Sequence, residues 1–297
     1  MLTRRELMQA AAAAALTPLS GRAAEAPSFC LFSKHLPDLG WSDLGRAVKE
    51  SGFDGVDLTV RAKGHVPPER AAADLPRAID AIRSHGLTVP MVTTELTSAK
   101  DPLARPLLQI AAKSGVRYFK TGYWYWGTSP DVRAQLAAVG EALSGLADLG
   151  KECGIELGFH NHNGYVGAAL WDIAPAMDKL DPKWAGYYFD PRHAVAEGGG
   201  GSWKAAAHLV APRLKMIALK DFYWEKTPKG WVIQNCPMGD GAVDWTSMAK
   251  IVSEARFAGP ISLHLEYDIP GSTATERTTR TLAAAVKDLA YAKRFFK

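Results

Sequence analysis

Four stretches in the second half of the chain carry residues able to do acid–base or metal chemistry. His160-Asn161-His162-Asn163, Asp190-Pro191-Arg192-His193, Lys220-Asp221 and Glu266-Tyr267-Asp268 each close a short apolar run. Earlier runs end in Lys34-His35, in Arg61 with His65, in Glu95, and in Lys120 with Tyr123. His160 and His162 are two apart, so a strand would turn both to one face. Imidazoles beside Asp190 and Glu266 make the mixed nitrogen and oxygen set that suits a divalent ion such as Mn, Co, Zn or Fe. The set also suits proton abstraction beside a carbonyl, which needs a base near the C–H and positive charge at the developing enediolate oxygen. Singly, each residue has a plainer reading: a packed, hydrogen-bonded histidine, or an aspartate capping the next helix. Their joint placement at successive run ends favours one shared site.

For these residues to meet, the runs before them must be neighbouring strands. Candidate strands cover 29–33, 55–60, 88–94, 118–121, 155–162, 186–190, 215–220 and 261–267. Helical patterns lie between them at 41–51, 68–85, 102–114, 129–153, 168–180, 203–211 and 245–255, with a last one at 275–296. In 129–153, Val132, Leu136, Val139, Leu143, Leu146 and Leu149 recur at three- and four-residue steps, which predicts an amphipathic helix. Gly52, Gly86, Gly115, Gly154 and Gly259 stand where helices give way to strands, as C-terminal caps do. Eight such units predict a single-domain α/β protein, a (β/α)8 TIM barrel, whose chemistry gathers at the C-terminal ends of its strands. A doubly wound open sheet would favour a GxGxxG turn after the first strand, where Phe32-Ser33-Lys34-His35 stands instead. The glycine run at 198–201 reads as a flexible loop.

The motifs resemble the sugar phosphate isomerase/epimerase superfamily, the xylose-isomerase-like TIM barrels, from about Phe29 to the end. They are GFDGVDLTV (52–60), GIELGFHNHNG (154–164), Asp190 with His193, LKD (219–221), GDGAVDW (239–245, read as a hairpin) and GPISLHLEYD (259–268). The resemblance implies a divalent metal held by Glu, Asp, His and Glu on strands five to eight. The strand-six Asp matches Asp190, the strand-eight Glu matches Glu266, and the substrate-binding histidine matches His193. The strand-five position falls on His160, and the strand-seven histidine falls on Ala218. The expected metal ligands are therefore His160, Asp190 and Glu266.

On this reading Glu266 is the base, with His160 or His162 the opposing acid/base. Lys220 either neutralises an oxyanion or pairs with Asp221 or another carboxylate. His193, His162, Lys34, Arg61, Glu95, Lys120 and Tyr223 are expected to contact substrate, and Trp124, Tyr125, Trp126 and Tyr223 to supply aromatic faces. The expected function is a metal-assisted isomerase or epimerase on a sugar or polyol-like substrate. The alternatives are a lyase or dehydratase in the same barrel and a non-catalytic periplasmic sugar-binding protein.

Composition limits the partners. In 297 residues, 35 Lys+Arg against 31 Asp+Glu give +4 with no basic block, so nothing calls for nucleic acid or an anionic membrane. Three dispersed cysteines form no CxxC pair, which excludes a cysteine-rich zinc module. Residues 1–26 place Arg4-Arg5 before an apolar run, a turn-forming Pro18 and small residues, the layout of a twin-arginine-type signal peptide. The expected location is periplasmic, the mature domain 27–297, and the partner a small carbohydrate, with homo-oligomers allowed.

Overall fold

The structure, a computed structural model, describes residues 27–296; the signal segment read in 1–26 lies outside them. Eight parallel strands close a barrel: β1 (Phe29–Phe32), β2 (Gly55–Thr59), β3 (Thr88–Thr93), β4 (Tyr118–Lys120), β5 (Glu156–His160), β6 (Ala185–Phe189), β7 (Leu214–Leu219) and β10 (Ile261–Leu263). Closure comes from β10 pairing with both β7 and β1, with Phe29 opposite Ile261. Around the strands lie α1 (Trp41–Glu50), α2 (Ala71–Arg83), α3 (Ala104–Lys113), α4 (Val132–Cys153), α5 (Ala174–Met177), α6 (Pro191–Val210), α7 (Trp245–Glu254) and α8 (Ala274–Ala292). None of the described helices is long and apolar enough to cross a membrane.

The packing follows from where the apolar side chains fall. Val139, Leu143, Leu146 and Leu149 bury one face of α4 against the strands, while Val132 at its start stays exposed. Asp131 caps that helix by accepting from the Ala134 N–H at 3.0 Å, so it begins at Val132, where the apolar period starts, three residues later than the expected range 129–153. One apolar cluster fills the layer between strands and helices. A smaller one, Met91, Tyr118, Tyr188, Met216 and Ala218, groups buried residues of β3, β4, β6 and β7.

Several local expectations are corrected. The antiparallel hairpin is not at 239–245 but is formed by β8 (Asp221–Thr227) and β9 (Gly230–Cys236), directly after β7. Residues 239–245 instead wrap Asp221, whose carboxylate accepts from the Gly239 and Val243 N–H groups and the Trp245 indole. The glycine run at 198–201 lies inside α6, which breaks only at Gly199 (φ 64°, ψ −174°). The helix expected at 168–180 shrinks to the single turn of α5, and the strand expected at 261–267 to β10. Gly52, Gly86, Gly115 and Gly154 are left-handed as expected, but Gly259 is not; Arg256 takes that conformation after α7. What requires glycine at 259 is crowding, since a Cβ there would meet the Lys215 carbonyl oxygen at 2.3 Å.

Candidate functional site

Asp190 ends β6 and starts α6, and its two carboxylate oxygens divide the work. Oδ1 accepts from the His193 N–H at 3.1 Å, the capping role. Oδ2 faces inward, 3.1 Å from the Lys220 ammonium, 3.2 Å from His160 Nε2 and 3.6 Å from His193 Nε2. All four side chains are buried. Burial by itself would raise the Asp190 carboxyl, but Lys220, then His193 and His160, outweigh it and hold it well below the ordinary range. Burial holds His160 and His193 neutral, far below the usual imidazole value.

Neutral imidazoles have one bare nitrogen each. His193 Nδ1 lies between the Asn163 Oδ1 acceptor at 2.7 Å and the Arg192 guanidinium donor at 2.9 Å. Its Nε2 is buried, without a hydrogen-bond partner, and turned toward Asp190 Oδ2 at 3.6 Å. A buried nitrogen without a partner beside a carboxylate is a place that a cation would fill. His160 Nδ1 meets the Tyr123 hydroxyl at 3.0 Å, the outer bond that orients a metal-ligating imidazole. His160, Asp190 and His193 bring their ligand atoms within 4.8 Å of one another. This donor set fits a divalent ion.

The set differs from the expected one. Glu266 is outside it, its oxygens 2.8 and 3.1 Å from the Lys34 ammonium, and His193 stands with His160 and Asp190 instead. Burial would raise the Glu266 carboxyl, yet Lys220 and Lys34 override it and keep it ionised below the ordinary range. Lys220 pairs with Asp190, since Asp221 is consumed in the turn below the hairpin.

A cavity of about 270 Å³ opens at the C-terminal mouth of the barrel. It is lined by Lys34, Arg61, Lys120, His160, His162, His193, Lys220 and Glu266, so most of the residues singled out from sequence are brought together. Burial and then Lys220 lower His162 to about 4. Burial, with Arg61, pushes Lys120 well below the usual amine value, while Asp57 and Glu95 work in the other direction. Glu95 itself is exposed and outside the lining, as is Tyr223, which points out from β8 and is 45% exposed. Trp124 packs on Phe159, and Tyr125 and Trp126 are exposed; the aromatic lining comes from Phe32, Tyr123 and Tyr188.

Sequence reasoning missed a second polar group beneath the mouth. Asp57, fully buried in β2, collects the Thr93, Ser262 and Tyr188 hydroxyls at 2.7, 2.8 and 3.1 Å. His264 joins through Nε2, 3.0 Å from the Tyr188 hydroxyl. A carboxylate between Val56 and Leu58 in an apolar strand was the available signal. Arg192 and Asn235 were also missed; the guanidinium bonds both Asn235 and Asn163 and so fixes the hairpin against the loop after β5.

The fold agrees with the comparisons. The chain belongs to the xylose isomerase-like TIM barrel family, whose sequence pattern matches residues 45–289. Its structure is similar to D-allulose 3-epimerase from Methylomonas sp. solved with D-allulose, at TM-score 0.67 and 16% identity over 92% of this chain and 98% of that one. It is similar to 3-keto-D-glucoside 4-epimerase from E. coli, at TM-score 0.68 and 16% identity over 90% and 99%. A third similar structure is the IOLI protein with a bound zinc atom, at TM-score 0.69 and 13% identity over 91% and 99%. At these identities the likeness is one of fold. No curated protein matches the chain by sequence.

Proposed function

We propose that the protein is a sugar epimerase or isomerase that removes and returns a proton at a carbon beside a carbonyl. The observation that carries this is the division of the mouth. The ionised carboxylate of Glu266 stands just past β10, and the buried donors His160, Asp190 and His193 stand on the β5 and β6 side. A carbohydrate between them would present a C–H to one side and its oxygens to the other. Similar barrels whose names are sugar 3- and 4-epimerases support the substrate class.

Glu266 acts as the base. Lys34 holds the carboxylate in place and suppresses its basicity until substrate oxygens compete for the ammonium. His162, which lines the cavity, is the proton donor or acceptor on the opposite side. Lys220 lies next to Asp190, where negative charge on a substrate oxygen would be stabilised in a dry setting. His160, Asp190 and His193 would hold a divalent ion, which supplies Lewis-acid charge to the substrate oxygens when bound.

The test is isotope exchange in D2O over a panel of D-allulose, D-tagatose, D-fructose and 3-keto-D-glucosides. The expected outcome is one deuterium gained beside the carbonyl with no loss of water or aglycone. Glu266→Gln, with an unchanged melting temperature, should lower exchange at least about a hundredfold. Release of water or aglycone would make the protein a lyase, and near-normal exchange in the folded variant would remove Glu266 from the mechanism.

A further inference from the structure

His264 is buried, lines the cavity and has no role in the chemistry above. Its tautomer is fixed by the group beneath it. The Tyr188 and Ser262 hydroxyls both donate to Asp57 Oδ2, at 3.1 and 2.8 Å. Each hydroxyl has one proton, so its oxygen can only accept from His264 Nε2, which lies 3.0 Å from Tyr188 and 3.2 Å from Ser262. Nε2 therefore carries the proton and Nδ1 does not. Phe32, stacked on the imidazole at 4.3 Å between centroids, fixes the ring plane.

Nδ1 is buried and has no hydrogen-bond partner; Glu266 Oε1, another acceptor, lies 4.0 Å away. Elsewhere the mouth is rich in donors, from Lys34, Arg61, Lys120 and Lys220. We propose that His264 is a further substrate-contacting residue whose Nδ1 accepts a hydrogen bond from a ligand hydroxyl beside Glu266. It thereby selects a polyhydroxylated ligand over a deoxy analogue. The proposal rests on the epimerase reading for its ligand class and on the Asp57 network for its geometry.

Two measurements test it. In protein labelled with 15N-histidine and assigned by difference from His264→Gln, Nδ1 of His264 should resonate as an unprotonated nitrogen. A proton found on Nδ1 overturns the proposal whatever the enzyme does, and a bare Nδ1 supports it even if no sugar in the panel binds. In that last case it is the epimerase reading that has failed. The second measurement is calorimetric binding of D-fructose and its 1-, 3- and 4-deoxy analogues. Native protein should bind one analogue about tenfold or more weaker than the parent, because it leaves a buried acceptor unpaired. His264→Gln keeps a donor toward Tyr188 but lacks Nδ1, and should bind that pair within about twofold. Discrimination unchanged in the Gln variant would overturn the contact.

Discussion

One carboxylate serves four neighbours at the bottom of the mouth. Asp190 caps a helix with Oδ1 and with Oδ2 meets Lys220 while facing two imidazoles. A divalent ion held there would therefore compete with the lysine for the same oxygen. An ion pair at this separation is worth several kcal/mol even at an effective dielectric of about 20. Lys220→Met should leave an uncompensated buried carboxylate and lower the melting temperature of metal-free protein. It should also raise the affinity for added Zn²⁺ or Mn²⁺ about tenfold or more, read by titration, and the ion should recover the lost melting temperature. Equal affinity in the two proteins would mean that lysine and ion do not share Asp190. The capping reading of Asp190 available from sequence describes a real bond, made through Oδ1 alone, which leaves Oδ2 to Lys220 and the imidazoles. The group around Asp57 was less legible. Asp57, Tyr188, Ser262 and His264 come from three strands, and no spacing in the chain records that their side chains meet.

At the scale of elements, β/α alternation and amphipathic period were enough to read the barrel, since both report burial directly. The errors cluster where tertiary contacts override local preference. Four successive glycines disfavour a helix, yet helical turns lie on both sides of the break in α6 because Val195 before it and Trp203, Ala206, Ala207 and Val210 after it are buried. The helix yields only at Gly199, whose dihedrals belong to a region that side chains with a Cβ avoid. A Cβ there would meet nothing within 4 Å, so backbone strain is the whole cost. Gly199→Ala should destabilise by about 1–3 kcal/mol, lowering the melting temperature a few degrees. Gly200→Ala, in equally open space but with ordinary helical dihedrals, should not. Equal effects would show that the break is not what requires glycine. The β8–β9 hairpin escaped notice because its residues are largely exposed and carry no clean alternation against a core.

The last helix is fastened to the whole by a carboxylate with an unusual proton affinity. Asp288 on α8 accepts from the Tyr267 hydroxyl at 3.1 Å and the Met238 N–H at 3.3 Å. Burial nevertheless pushes it up to about 6. An unfolded aspartate titrates near 4, so the folded protein holds this proton more tightly. The stability it contributes is complete below about pH 4 and is lost as pH rises through 6. By linkage the span is about 2–3 kcal/mol. Asp288→Asn keeps an acceptor and removes the charge, so melting temperature against pH should flatten between 4 and 7. A slope equal to that of the native protein would place the titration elsewhere.

The seam of the barrel joins β1 to β10, and across it Lys34 reaches Glu266 over 232 residues of chain. Among the described strands the earliest in the chain therefore waits for the latest to close the ring. The pair between Lys34 and Glu266 forms only when β10 docks against β1. If Glu266 is the base, activity recovered on refolding reports completion of the ring itself.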